Sequence, residues 1–152
     1  MERYGFTGVV YLVSNRLEAS GFLNASDVKV LTDSGWEVGS HSQSHVNLKE
    51  RPDRLREEGY QSRLDLQKAL GVPVNTFAYP FGEANGLIIE HISAYGYLAA
   101  VGLGPRFVHS RTDLFYLNRI EIRNGTDLEK LAAILPWSGE EAVPAPRVTA
   151  TP

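Results

Sequence analysis

The chain has 152 residues, of which 43% are hydrophobic and 22% charged, and its formal net charge at pH 7 is −3. These values are ordinary for one globular domain with its own core, and the charge gives no support for nucleic-acid binding. No apolar run reaches the roughly 18 residues that a membrane span needs, and the absence of cysteine excludes disulfides and thiolate catalysis.

The first part of the chain predicts a strand, a helix and a second strand. Residues 9–13 (VVYLV) form a continuous apolar, β-branched run, which is typical of a buried strand in a parallel sheet. Ser26 is expected to cap a helix that begins at Asp27 and ends at Gly35. Residues 36–39 then restart as a short strand.

The middle of the chain continues the alternation. Pro52 suits the first turn of a charged helix, although Gly59 weakens its middle. This helix runs towards Leu70 and stops at Gly71. Residues 76–79 predict the next strand.

The last elements follow the same signals. A helix with an apolar stripe ends at Gly96, and residues 98–101 predict a strand behind it. Residues 117–122 (LNRIEI) alternate between apolar and polar, as a half-buried strand does. Thr126 and Glu129 form a capping-box pattern that predicts one more helix.

The order of these elements predicts an α/β fold with a mainly parallel sheet, because strands alternate with helices. We assign residues 1–136 to this domain. The periodic pattern stops after Pro136, and the last 17 residues hold four of the eight prolines. Residues 137–152 are therefore predicted to be a flexible, proline-rich tail or linker.

The sequence shows no targeting signal. The opening stretch MERYGFTGVVYLV lacks the h-region and the cleavage site of a signal peptide. The chain as it stands is expected in the cytoplasm, whereas a longer gene product would be compatible with an extracytoplasmic location. The lack of cysteine does not decide between the two.

Two of the four histidines, His41 and His45, stand four residues apart directly behind a predicted strand. This end of the sheet is where α/β folds place their sites. If the segment turns helically, both imidazoles lie on one face and can bind one metal ion. The spacing alone also fits a solvated loop. His91 is expected to pack or lie on the surface, and His109 to lie in a loop.

Several stretches together resemble the polysaccharide deacetylase family, the NodB-homology carbohydrate esterases. GWEVGSHSQSHVNL is similar to that family's second motif, and FAYPFG, residues 77–82, to its third. ERYGFTGVVYLV, AYGYLAAVG and LNRIEIRNGTDLEKL resemble further family segments in the same order and spacing. The resemblance covers roughly residues 3–135.

The resemblance implies an incomplete or distorted (β/α) barrel and a metal-dependent hydrolase that removes N-acetyl groups from a carbohydrate. His41 and His45 would bind a divalent metal, with zinc the first choice and cobalt, nickel and manganese the alternatives. In the family, the metal polarises the acetamido carbonyl. By position, the backbone N–H of Phe81 would bind the oxyanion. The resemblance also suggests four residues for the substrate cleft: Trp36, Tyr79, Pro80 and Gly82.

The match fails at the family's first motif, T-F-D-D, which supplies the catalytic base and an aspartate ligand. That motif lies before the segment ERYGFTGVVYLV, and no Asp-Asp pair occurs in the chain. The resemblance therefore implies a domain that lacks its first strand and helix. Ala78 stands where many members have an arginine, and the C-terminal L-x-H motif has no clear counterpart.

These departures leave a second interpretation open. The chain could be a catalytically impaired sugar- or metal-binding module, or a pseudoenzyme that associates through open sheet edges. The expected partners are an N-acetylated oligo- or polysaccharide and a second protein chain that covers the open edge. A homodimer is the simplest such assembly. Neither nucleic acid nor a membrane span is expected.

Overall fold

The computed structural model describes residues 5–135. The chain forms two compact units, of which the first ends at Glu121 and the second begins at Ile122. The first contains β1 (Val9–Leu12), α1 (Ala25–Asp33), β2 (Glu37–Ser40), α2 (Ser62–Leu70), β3 (Val74–Ala78), α3 (Gly86–Ala94), β4 (Ala99–Leu103) and β5 (Leu117–Arg119). The described part of the second contains α4 (Leu128–Ile134). The predicted tail, 137–152, lies outside the described residues.

The five strands of the first unit are parallel and lie in one sheet in chain order. In this register Tyr11 pairs with Gly39, which pairs with Thr76. In the part of the chain that the structure describes, β1 and β5 each have a neighbour on one side only, so the sheet is open. The predicted α/β fold with an incomplete barrel is therefore confirmed.

The open sheet is strongly curved. Arg119 on β5 places its guanidinium carbon 5.3 Å from the ring centroid of Tyr11 on β1. In a flat sheet, four strand spacings of about 4.8 Å would separate these strands by roughly 19 Å, which is beyond the reach of an arginine side chain. The two edge strands therefore approach each other as they would around a barrel.

β1 occupies its predicted place but is less buried than expected. Leu12 is buried, whereas Val9, Val10 and Tyr11 are only half-buried. The physical reason is the position of β1 at an edge of the sheet, where no described strand covers its outer side. The prediction of full burial was therefore wrong.

Two helices begin at caps that differ from the predicted ones. The Asn24 side chain accepts a hydrogen bond from the Asp27 N–H (2.9 Å), and the Asp27 carboxylate accepts one from the Asn24 N–H (3.0 Å). This is a capping box, and Ser26 lies inside the helix instead of capping it. α4 is likewise capped by Asp127 and not by Thr126. In both places neighbouring polar residues have similar capping ability, and the sequence does not rank them.

The charged helix predicted to begin at Pro52 is not one continuous α-helix. A 3₁₀ turn and a π-helical segment, Arg56–Gln61, come before α2. A Cβ on Gly59 would lie 2.7 Å from the Ile92 Cδ1 atom, so this glycine allows α3 to pack closely. Gly71, with a φ of 67°, ends α2 as predicted. None of the described helices combines the length and apolar character of a membrane span.

The core lies between the sheet and its helices. Phe77 on β3 is fully buried, and its ring centroid lies 5.3 Å from those of Tyr79 and Tyr97. The other buried apolar residues of this cluster are Leu12, Val28, Val38, Leu48, Leu55, Leu66, Val74, Ile88, Ile92 and Ala100. This packing fixes β2 and β3, whose C-terminal ends carry the candidate site.

We expect Gly39→Ala to destabilise the protein by about 1–3 kcal/mol, the usual cost of overpacking. A Cβ on Gly39 would overlap the Tyr11 ring and lie 2.8 Å from Thr76 Oγ1, both on neighbouring strands. Gly86→Ala is the matched control, because a Cβ there meets nothing within 4 Å. Urea unfolding measures both free energies, and equal stability of the two variants would contradict this prediction.

Candidate metal and oxyanion site

His41 and His45 come together at the C-terminal end of β2. The His41 N–H donates to the Leu12 carbonyl (2.8 Å), which continues the pairing of β2 with β1 for one more residue. The two imidazole rings are nearly perpendicular, and their centroids lie 4.7 Å apart. The fold therefore places two imidazole rings side by side, an arrangement suited to a divalent transition metal.

The segment from His41 to His45 is a strained loop and not the helical turn that the spacing suggested. Ser42 and His45 both have left-handed backbone conformations, with φ of 68° and 63°. Such values are uncommon for residues other than glycine and need support from their surroundings. One support is the Ser42 hydroxyl, which accepts a hydrogen bond from the His45 N–H (2.9 Å).

The orientation of the His41 ring leaves one of its nitrogens available. Its Nδ1 lies 2.8 Å from the Ala78 carbonyl oxygen. A carbonyl can only accept, so Nδ1 carries the proton and the neutral ring presents Nε2 as a lone-pair donor. Burial lowers the pKa of His41, and the charges of His45 and Arg119 act in the same direction, whereas the hydrogen bond to Ala78 opposes them. These effects favour the neutral, metal-binding form.

Phe81 lies directly beside the histidines. Its ring makes an edge contact with the His45 ring, with centroids 4.8 Å apart, and 57% of the residue is exposed. The turn that presents Phe81 has φ of 59° at Phe81 and 71° at Gly82. The Tyr116 hydroxyl fixes this turn by donating to the Gly82 carbonyl (2.6 Å). The structure thus brings the second- and third-motif segments together, and the role of the Phe81 N–H stays a prediction.

The residues suggested for the substrate cleft are not all at this site. Tyr79 is fully buried, and its hydroxyl donates to the Phe115 carbonyl (2.8 Å), so its side chain belongs to the core. Pro80 and Gly82 are also buried and shape the turn. Trp36 precedes β2, whereas the histidines follow that strand, so Trp36 lies at the opposite end of the sheet. The cleft positions suggested for Tyr79 and Trp36 therefore do not fit the fold.

Glu58 is a residue of the site that the sequence analysis missed. This carboxylate is completely buried and accepts hydrogen bonds from the backbone N–H groups of Gln43 (3.0 Å) and Ser44 (2.8 Å). The available signal was its spacing, because Glu58 falls on the same helical stripe as Leu55 and Leu66. A charged residue on a buried stripe needs specific partners. Here the partner is the segment from His41 to His45, which we call the histidine loop.

The histidines fit a metal as two of its ligands. In residues 5–135 no group of three or more His, Asp, Glu or Cys side chains could hold a metal ion. A zinc ion takes about four ligands, so the described part of the chain would supply half of a tetrahedral set. His91 on α3 contacts Tyr95 and is exposed, and His109 lies half-buried in a loop after β4. Neither joins His41 and His45.

The comparisons with known proteins agree with this geometry. A family model for polysaccharide deacetylase matches residues 1–100. BA0330 of Bacillus anthracis, named as a polysaccharide deacetylase, is 30% identical over 82% of this chain and 40% of its own, with a TM-score of 0.74. BC0361, a polysaccharide deacetylase from Bacillus cereus, is 28% identical over 83% of this chain and 40% of its own, also with a TM-score of 0.74.

Two further solved structures are similar to this chain in fold. The Streptococcus pyogenes deacetylase PplD, solved with acetate, is 22% identical over 88% of this chain and 60% of its own, with a TM-score of 0.77. A mutant of BA3943, described as a CE4 family pseudoenzyme, is 20% identical with a TM-score of 0.57 and is covered over 35% of its length. The chain spans about 40% of the two Bacillus deacetylases. A search of curated proteins gives no match.

Proposed function

The chain belongs to the polysaccharide deacetylase family, and from this premise we propose that it removes N-acetyl groups from a carbohydrate with a divalent metal held by His41 and His45. The observation that carries this proposal is the 2.8 Å hydrogen bond between His41 Nδ1 and the Ala78 carbonyl. It leaves Nε2 for a ligand, and the neighbouring His45 ring supplies the second donor. Zinc is the first choice, with cobalt, nickel and manganese as alternatives.

Each residue of the site has a distinct proposed role. A divalent metal bound there would supply Lewis acidity towards an acetamido carbonyl. His41 and His45 would hold it as neutral imidazoles. The backbone N–H of Phe81 would donate to the carbonyl oxygen as it gains negative charge, and the fixed turn around Phe81 would keep that donor in place. The exposed Phe81 ring would offer apolar surface beside the reacting group.

The proton acceptor is not assigned to any residue from 5 to 135. No carboxylate in this range joins the two histidines. Loss of a general base typically lowers a rate by about 10²–10⁴-fold. We therefore expect the 152-residue chain alone to release acetate very slowly, and rapid release would mean that an unidentified residue serves as the base.

The alternative function is a sugar- or metal-binding module without catalysis, or a pseudoenzyme. The incomplete ligand set favours it, and a pseudoenzyme is among the structures with this fold. An N-acetylated chito-oligosaccharide is the test ligand, with zinc or cobalt added. Acetate release that is lost in the His41→Ala/His45→Ala variant supports the deacetylase. Metal and sugar binding without acetate release supports the module instead.

The proposed macromolecular partner is a second chain that covers an open sheet edge, and the simplest form is a homodimer. β1 has a neighbour on one side only in the described range, and Val9, Val10 and Tyr11 keep part of their apolar surface exposed. Burial of apolar area is worth roughly 25 cal/mol per Å², which favours covering this edge. A two-fold arrangement is the commonest solution.

Light scattering at low micromolar concentration tests this association. We expect a mass of about twice 16.8 kDa, because a symmetric dimer would cover both copies of the β1 edge at once. A soluble chain that stays monomeric would contradict the prediction. It would also imply that the curvature seen in the Arg119–Tyr11 contact protects the edge sufficiently.

A further inference from the structure

The histidine loop is held from two sides by different groups. On one side, its carbonyls accept backbone hydrogen bonds: Ser42 from the Ser14 N–H (3.1 Å) and Gln43 from the Asn15 N–H (3.0 Å). On the other side, the loop's N–H groups at Gln43 and Ser44 donate to the single buried carboxylate of Glu58. The loop connecting the two histidines is therefore fixed by its backbone, and Glu58 accepts two of the hydrogen bonds that fix it.

Both oxygens of Glu58 are fully used as acceptors. Oε2 accepts the N–H groups of Gln43 and Ser44, at 3.0 and 2.8 Å. Oε1 accepts the Ser44 hydroxyl at 2.6 Å and pairs with Arg54 Nη2 at 2.9 Å. Four donors converge on one carboxylate, and an amide in its place would offer only one acceptor oxygen. Glutamine is therefore a poor substitute even though its shape is nearly the same.

The backbone that carries Glu58 is itself fixed. The Ser62 hydroxyl donates to the Glu58 carbonyl (2.6 Å), and the Tyr97 hydroxyl donates to the Gly59 carbonyl (2.7 Å). These bonds lie in the π-helical segment Arg56–Gln61, a local geometry that often marks functional positions. The backbone that presents the Glu58 carboxylate to the loop is therefore rigid.

We infer that Glu58 is a positioning residue for the site: it holds the strained backbone between His41 and His45 so that the two imidazoles face each other. The inference rests on the proposed function for its metal readout. The left-handed conformations of Ser42 and His45 are unfavourable alone and persist only where the surroundings impose them. Loss of the Glu58 contacts would let this loop relax and separate the rings.

The experiment compares Glu58→Gln with Asp65→Asn in the full chain. Asp65 is a matched control, because it is a neighbouring acidic residue that accepts from the Gln43 side chain (3.4 Å) and not from the loop backbone. Zinc affinity is measured by competition with a chelating indicator. We expect about tenfold weaker binding for Glu58→Gln, in the range seen when supporting residues of metal ligands are lost, and less than twofold change for Asp65→Asn.

Amide hydrogen exchange gives a readout that needs no metal. In Glu58→Gln the amides of Gln43 and Ser44 should exchange at least tenfold faster than in the wild type, while those of β3 keep their rates. Ser44→Ala removes the hydroxyl that donates to Glu58 and accepts from Arg54 Nη1 (3.3 Å), but it leaves the carboxylate in place, so it should accelerate the same amides only about threefold. This milder variant decides the question if Glu58→Gln does not fold.

The outcomes separate the two proposals. Unchanged exchange at Gln43 and Ser44 in every folded variant would overturn the role of Glu58. If wild-type zinc affinity equals that of the His41→Ala/His45→Ala variant, the proposed metal function fails, and the exchange rates still decide the role of Glu58. Faster exchange together with weaker zinc binding supports both.

Discussion

Replacing His41 and His45 together by alanine should weaken zinc binding by at least about a hundredfold, because the variant loses both imidazole donors of the proposed site. The wild-type affinity itself should be modest, since two protein ligands leave about half of the coordination to water or other groups. Equilibrium dialysis followed by metal analysis measures both affinities at neutral pH, where the His41 ring is favoured in its neutral form.

His91→Ala is the control for this experiment. His91 is an exposed histidine on α3 whose ring contacts Tyr95, far in the chain from the histidine loop. Its loss should leave zinc affinity unchanged. Equal zinc retention by the wild type and the double variant would contradict the proposed site. A large effect of His91→Ala would instead indicate binding by scattered surface histidines.

Phe77→Ala should cost about 3–5 kcal/mol of unfolding free energy, the usual range for deleting a buried aromatic ring. Phe77 is fully buried on a central strand, and it contacts Tyr79 and Tyr97. A cavity at this position cannot collapse easily, because β2 and β4 flank the strand. A loss of this size is a large part of the total stability of a typical domain, which is about 5–15 kcal/mol.

Urea unfolding measures the effect, with Phe107→Ala as the matched control. Phe107 is a phenylalanine of the same size with 45% of its surface exposed. Its replacement should change the free energy by less than about 0.5 kcal/mol. A cost for Phe77→Ala no larger than that of the control would contradict the packing described here. Because Phe77 precedes Ala78, whose carbonyl orients His41, the Phe77 variant should also bind zinc more weakly.

The order and type of the elements could be predicted because each depends on local sequence. The stripe that ends at Gly96 and the alternation in LNRIEI predicted their elements through side-chain spacing, and VVYLV did so through its apolar, β-branched composition. The strand predicted over residues 117–122 is shorter in the structure and ends at Arg119. Burial could not be predicted in the same way. Whether β1 is buried on both faces depends on which strand lies beside it, and the composition of β1 does not contain that information.

The candidate site was predictable where the motif residues follow strands. His41 follows β2 and Phe81 follows β3, and adjacent parallel strands bring their C-terminal ends together. Glu58 was not predicted, because two of its four donors are backbone N–H groups of the histidine loop, which leave no trace in residue types. The cleft position of Trp36 was wrong because closeness in sequence does not imply closeness in space. Trp36 is near the histidine motif in sequence, but it lies at the other end of β2.

The central claim is that His41 and His45 bind one metal ion together, and X-ray absorption spectroscopy of the zinc-loaded chain tests it most directly. Our account predicts two imidazole nitrogens at about 2.0–2.1 Å from zinc, with oxygen donors completing the coordination. The His41→Ala/His45→Ala variant should lose both imidazole signals under the same loading. A wild-type spectrum without imidazole scattering, or with the same scattering in the double variant, would contradict the account.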